Sequence, residues 1–471
     1  MSWDTGGVGS TEPPSRAGAG FGGAGAEAVR RIWARDATLW TGADEARWLG
    51  WLDEPWRMRQ DVDLLLQFAD SVVDRIDAVV LLGMGGSSLA PEVLRRTFRQ
   101  ETFHVLDTTH PQAIRELEAK LDLARTLFIS ASKSGTTLET RSHTDYFHAK
   151  GGLWAAVTDP GSDLEQYARE HEFDAVFPGE PTIGGRYSAL SAFGMVPAAL
   201  MGVDVGQFLD RAQEMAEACQ LAEGNPGLEL GLSLGENWRE GRDKVCTPDS
   251  ETGFGLWVEQ LIAESTGKQG KGLVPAPGES PDGSDRQEQG LRLSGEYELA
   301  QEFFRWEFAV AVAGSILGIN AFDQPDVQAG KDKTREILAS GEEPDVSPKS
   351  SPDELYAQAN EGDYVCVQAF VNPTAANEEK VMTLAARARE ATGCVVTHGF
   401  GPRFQHSTGQ LHKGGPPTGL FLQVVDETGD EIAIPGQPFG FGKLIRAQAA
   451  GDYALLEERG RRLARIRLED V

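Results

Sequence analysis

This 471-residue sequence predicts an α/β protein built from two units of mainly parallel sheet. Three observations carry that expectation. Short, wholly apolar runs at 78–82, 126–129 and 153–158 alternate with amphipathic stretches, the signature of strands buried on both faces and joined by helices. Turns rich in glycine and short hydroxyl side chains follow directly on two of these runs. The same alternation resumes after residue 364, so the chain reads as two copies of one architecture.

In chain order, residues 1–26 are rich in Gly, Ala, Ser and Pro, have little to bury, and are expected to form a flexible tail. The first unit is expected over 27–204. Its strand at 78–82 runs into G-M-G-G-S-S and a helix from about residue 89. A short strand at 104–106 precedes a helix opened by Pro111. The strand at 126–129 leads to a helix over 137–149, the strand at 153–158 to a helix from Asp163, and an apolar helix over 188–202 closes the unit. The second unit, 205–471, opens with helices near 205–222, 228–241, 254–265 and 298–317. A strand at 364–370, a helix over 377–391, strands at 394–397 and 419–424, a helix from Lys443 and a last strand near 465–468 complete it. Polar Pro/Gly/Ser-containing stretches at 278–292 and 340–352 read as loops.

Composition narrows the function. A hydrophobic share of 40% and a charged share of 25% suit a soluble globular protein, and no apolar run approaches the roughly 18–20 residues of a membrane span. The net charge of −28 argues against nucleic acid as a partner, because that would need a basic face. A phosphorylated small molecule stays open, since one site can be locally positive inside an acidic surface. The four cysteines, Cys219, Cys246, Cys366 and Cys394, form no C-x-x-C and read as reduced, mostly buried thiols of a cytoplasmic protein. No Cys/His cluster has metal-ligand spacing, so no metal is expected.

Five stretches carry chemistry. In S130-A-S-K-S-G-T-T-L-E-T140, the residues Ser132, Lys133, Ser134, Thr136 and Thr137 stand at a strand end where a helix begins. One helix cap needs one hydroxyl; four exceed that need and suit phosphate oxygens at a helix N-terminus. The loop is not a Walker P-loop, because G-x-x-x-x-G-K-[ST] is absent. In G83-M-G-G-S-S88 the third glycine of a dinucleotide fingerprint is replaced by Ser88, and only Asp107 is placed for a ribose, so Gly86 and Ser87 read as lining of the same cleft. In I183-G-G-R-Y-S188, Arg186 after two glycines suits an oxyanion or a phosphate. In E259-Q-L-I-A-E-S-T-G-K268, Gln260 and Glu264 share one helix face, and the apolar neighbours of Glu264 suit a partly desolvated general base or acid. Last, F322-D-Q-P-D-V-Q-A-G-K331 offers Lys331 and F404-Q-H-S-T-G-Q-L-H-K413 offers His406. His406 and His412 are six apart, which is not the spacing of a helical metal pair, whereas a histidine suits proton transfer near neutrality.

Together these stretches resemble phosphoglucose isomerases, in wording most of all the isomerase half of bifunctional transaldolase/phosphoglucose isomerases, and the likeness runs from about residue 80 to 415. No transaldolase-like half is evident. The resemblance implies two domains of the sugar-isomerase (SIS) type, each a three-layer αβα sandwich. It implies interconversion of glucose 6-phosphate and fructose 6-phosphate, as in glycolysis and gluconeogenesis, without a cofactor. It also implies roles. Ser132, Ser134, Thr136 and Thr137 would hold the phosphate with Lys133 beside them, and Gly86 and Ser87 would line the cleft. Glu264 would move the proton between C1 and C2, and Arg186 would stabilise the enediolate oxygen. His406, helped by Lys331, would open the sugar ring, with Gln260 beside the substrate. A homodimer, with the histidine reaching in from the partner subunit, is the family's arrangement. Two other readings share the motifs: an isomerase that also takes mannose 6-phosphate, and a non-catalytic sugar-phosphate-binding module. In the commoner isomerases the Q-H-x-x-x-Q-L stretch precedes F-D-Q…G-K; here it follows, so the second unit must be connected differently.

Overall fold

The computed structural model describes residues 22–426 and 429–471. Most of the expected tail (1–21) lies outside these residues, but 22–26 already belong to a helix, Gly22–Trp33. Packing overrides the weak propensity of G-G-A-G-A: Val29 and Ile32 of the same helix are buried, and Gly25 sits close against Leu228. Helices at Glu54–Gln60 and Val62–Val72, also unread in the sequence, precede the first sheet.

That sheet has five parallel strands: β1 (Ala78–Gly83), β2 (Phe103–Leu106), β3 (Thr126–Ala131), β4 (Leu153–Thr158) and β5 (Ala175–Pro178), in the order β2-β1-β3-β4-β5. The period-2 alternation of a strand explains why β1 is apolar throughout. Val79 and Leu81 enter one core while Val80 and Leu82 enter the core on the opposite face. The sequence reading missed β5, a half-exposed edge strand ending in Pro178. After β2 the chain passes back over β1 to form β3. A crevice therefore opens at the carboxyl ends of β1 and β3, where such sheets bind ligands.

A small parallel sheet follows: β6 (Lys244–Thr247), β7 (Val274–Pro277) and β8 (Arg286–Glu288), in the order β7-β6-β8. β8 lies inside the stretch 278–292 expected to be a loop; three residues, R-Q-E, show no apolar pattern to read. The last sheet is parallel in the order β10-β9-β11-β12, from β9 (Tyr364–Phe370), β10 (Val395–Phe400), β11 (Gly419–Val425) and β12 (Arg462–Arg467).

Cores cross between these sheets. Helices Val205–Ala218, Pro226–Arg239, Phe254–Thr266 and Glu298–Leu317 share one large core with the first face of the β1–β5 sheet. The second face is covered by Phe441, Leu444 and Ala447 of the late helix Phe441–Glu458, packed with Val80, Leu82 and Phe128. This sets the carboxyl ends of the two large sheets against each other. His110, after β2, lies 3.0 Å from Asp426, after β11, and Arg403, after β10, lies 3.7 Å from Asp107. Among the described residues no helix is long and apolar enough to cross a membrane.

Candidate active site

The hydroxyl-rich turn leaves β3 and enters the helix Leu138–His148. Gly135 adopts φ +73° with Leu164 packed against it, so a side chain there would be both strained and crowded. The hydroxyls bond mainly to one another. Ser132 Oγ accepts from the Gly135 amide (3.1 Å) and donates to Thr137 Oγ1 (3.2 Å), while Ser134 Oγ lies 2.8 Å from Thr136 Oγ1. Ser134 and Thr136 are exposed. The free N–H groups of the helix's first turn point out of the same place. Lys133 is turned elsewhere: its ammonium binds the Asp159 carboxylate at 2.6 Å and the Glu180 carbonyl at 3.0 Å. Its charge is therefore already paired in this structure.

The other two glycine loops touch. G-M-G-G-S-S forms a tight turn after β1, with Gly85 at φ +55°. A Cβ on Gly86 would strike the Gly185 carbonyl of the G-G-R-Y-S loop, and one on Gly85 would strike the His406 carbonyl. Glycine is required at both positions because three loops converge there; Ser87 alone of the central residues is not buried. Asp107, the acid considered for a ribose, faces Arg403 instead.

Arg186 is 1% exposed, with four of its five N–H donors engaged. Its guanidinium donates to Ser265 Oγ (2.8 Å), Gln324 Oε1 (2.9 Å) and the carbonyls of Ala321 (2.7 Å) and Asp323 (3.1 Å). Its NH1 stands 3.7 Å from Glu264 Oε2. Gln260 and Glu264 lie one turn apart on the buried helix Phe254–Thr266, as the sequence spacing predicts. Gln260 Nε2 donates both to Glu264 Oε2 (3.1 Å) and to the His406 carbonyl (2.8 Å). That amide therefore ties the carboxylate to the loop that carries the histidine.

His406 follows β10, and its Nε2 lies 2.9 Å from Glu139 Oε1. Burial alone would raise the Glu139 carboxyl, but the charge and hydrogen bond of His406, with Lys331 beyond, outweigh it and hold the group at about 2. Gln448 Nε2 donates to the same Glu139 oxygen at 2.7 Å. Lys331 lies in a regular helix, Pro325–Ser340, and with Glu139, His406, Arg335, Lys413 and Gln448 lines a pocket beside this pair. From Glu139, two residues beyond the hydroxyl turn, contacts thus run through His406 and Gln260 to Glu264 and Arg186. The sequence reading missed Glu139, Gln448 and Gln324. Glu139 stood in the quoted turn but resembled an ordinary acid of a first helical turn, and the other two are distant in sequence from their partners.

Fold and site together define an α/β protein with its candidate site where the carboxyl ends of two parallel sheets meet. More narrowly, residues 67–240 match the family model of phosphoglucose isomerase. It is similar to proteins named glucose-6-phosphate isomerase from Gloeothece citriformis (37% identical over 216 residues, 42% of this chain and 41% of that protein). A protein of the same name from Trichormus variabilis is 35% identical over 216 residues, again 42% of this chain and 41% of that protein. The matched stretch spans about two fifths of the length of these relatives. Among solved structures, a glucose-6-phosphate isomerase from Chlamydia trachomatis is 20% identical with a TM-score of 0.49, covering 67% of this chain and 78% of that one.

Proposed function

We propose that this chain is a glucose-6-phosphate isomerase, interconverting glucose 6-phosphate and fructose 6-phosphate through a cis-enediolate. The observation that carries the reading is the placement of Glu264 Oε2 within 3.1 Å of Gln260 and 3.7 Å of Arg186, next to the Glu139–His406 pair. One carboxylate, one cation and one acid are what an aldose–ketose exchange requires.

The substrate's phosphate would sit on Ser132, Ser134, Thr136 and Thr137 at the N-terminus of the Leu138–His148 helix, with Gly86 and Ser87 lining the cleft. Phosphate oxygens would replace the hydroxyls' bonds to one another. His406, oriented by Glu139 and with Lys331 across the pocket, would give a proton to the ring oxygen and take one from the anomeric hydroxyl, opening the ring. Glu264 would then remove the proton from C2 and, once the O2 hydroxyl proton has passed to O1, return it to C1. Arg186 would stabilise the negative charge on the carbonyl oxygen as it becomes the enediolate, and Gln260 would keep the Glu264 carboxylate aimed. The Arg186 donors are held in advance, so little reorganisation is needed as charge develops.

Although the family's arrangement brings the histidine from a partner, His406 here meets Glu139 of its own chain, so one chain supplies every group in this scheme. The four cysteines are free and buried, which suits action in the reducing cytoplasm. The test is a coupled assay of fructose 6-phosphate conversion, with mannose 6-phosphate run alongside. A second arm mixes Glu264→Gln with His406→Asn. Turnover with fructose 6-phosphate is expected, and the mixture should stay inactive. No turnover with either sugar would overturn the reading, and recovery on mixing would overturn the single-chain site.

A further inference from the structure

Behind Arg186 lies a second buried cation that no step above uses. Lys268 ends the same stretch that carries Gln260 and Glu264 and is 2% exposed. Its ammonium donates to the Asn320 carbonyl (2.5 Å) and to the Asp323 carbonyl, and it pairs with the Asp323 carboxylate at 2.7 Å. These acceptors lie in one short segment between the helices Glu298–Leu317 and Pro325–Ser340. Arg186 docks on the same segment, through Ala321, Asp323 and Gln324, so the Asp323 carbonyl accepts from both cations.

Two buried cations held side by side repel, and nothing in the stability of a core asks for that. Burial, the neighbouring Arg186 charge and the opposing pull of Asp323 and Glu264 leave the Lys268 ammonium at about 7 instead of near its ordinary 10.5. Segment 320–324 is also anchored by Ala321 and Phe322, buried in the main core with Phe322 against Trp40 and Tyr187, and by Asn320, whose side chain donates to Asp44 (2.9 Å) and accepts from the Phe322 amide (2.9 Å). Without the lysine, the Asp323 carbonyl that grips the guanidinium would lose its other donor.

We propose that Lys268 is a positioning residue of the proton-transfer site: it pins segment 320–324 and thereby fixes the Arg186 guanidinium in register with Glu264. The inference rests on the isomerase reading above. It predicts a selective defect, in which recognition of a developing oxyanion suffers while recognition of the phosphate end does not.

Two ligands separate those effects. A hexitol 6-phosphate carries the phosphate and hydroxyls but no charge near C1 and C2. A pentonate 5-phosphate, one carbon shorter, presents a planar carboxylate with the shape and charge of the enediolate. For Lys268→Met, affinity for the pentonate phosphate should fall at least about tenfold, as for loss of an aligned charge-assisted contact. Affinity for the hexitol phosphate should stay within about twofold, with kcat falling and KM nearly unchanged. Lys268→Gln keeps neutral donors for the carbonyls and should fold even where methionine does not; it should show the same selective loss in smaller measure. Equal weakening of both ligands, or unchanged pentonate binding in a folded variant, overturns the proposal. Failure of the unsubstituted protein to bind either ligand overturns the isomerase reading itself, which distinguishes the two.

Discussion

The two ends of the cleft are built on opposite principles. At the proposed proton-transfer end, Arg186, Gln260 and Glu264 are 1%, 3% and 8% exposed, and the Arg186 guanidinium, Gln260 Nε2 and Glu264 Oε2 are held by neighbours. At the proposed phosphate end, Ser134 and Thr136 face solvent and their hydroxyls bond to one another. Preorganisation matters where charge appears only in the transition state, because dipoles already aimed do not have to turn. A phosphate is fully charged before it binds, so its site can stay open to it and exchange hydroxyl–hydroxyl bonds for hydroxyl–phosphate bonds. The comparison implies that substitutions at the buried end act on kcat and those at the open end on KM.

The largest effect should come from Glu264→Gln. Gln260 and Arg186 can still hold the amide, so the fold and sugar-phosphate binding should change little. Turnover should fall about 10³-fold, within the range for loss of a general base. Steady-state kinetics beside a binding titration checks this; wild-type turnover in the purified variant removes Glu264 as the base.

Ser134→Ala combined with Thr137→Ala should act the other way. Each lost hydroxyl removes a hydrogen bond to a charged group, about 1.5 kcal/mol apiece, so KM should rise on the order of 100-fold with kcat nearly unchanged. A fall in kcat at constant KM would place the phosphate elsewhere.

Between the two ends, the Glu139–His406 pair ties activity to acid stability. Glu139 ionises at about 2 in the fold against its ordinary 4.5. A depressed carboxyl stabilises the fold fully above its unfolded value, and that contribution is lost as pH falls from about 4.5 through about 2. Urea unfolding at pH 7 and pH 3 should show Glu139→Gln less stable than the parent at neutral pH, with the gap narrowing in acid. A gap that widens in acid would contradict the charged pair.

How much of this was legible depends on range. Largely apolar strands such as β1, β3 and β9 announce themselves, because burial on both faces leaves few polar positions, and Gln260 and Glu264 could be paired because helical spacing is local. β5 and β8 escaped because an edge strand and a three-residue strand carry no such constraint. The histidine's partner escaped for a different reason. Glu139 and His406 are 267 positions apart, and only the docking of two sheets end to end brings them together. Lys331 follows Gly330 directly, yet Pro325 starts a helix there that carries both.

The smallest expected effect concerns Lys133, which stands in the middle of the hydroxyl turn yet points out of it. Sequence position alone would make it the turn's strongest phosphate ligand, and its removal would then raise KM as much as loss of the flanking hydroxyls. The structure pairs its ammonium with Asp159 and the Glu180 carbonyl, linking the ends of β3, β4 and β5. Both members of that ion pair are partly exposed, at 25% and 19%, so solvent screening keeps the pair to about 1 kcal/mol or less. Lys133→Met should therefore leave KM for fructose 6-phosphate within about twofold while lowering the urea midpoint slightly. A KM increase comparable with that of the double hydroxyl variant would mean that the lysine swings back to the phosphate on binding, and the open end of the cleft would then be less fully formed than the comparison holds.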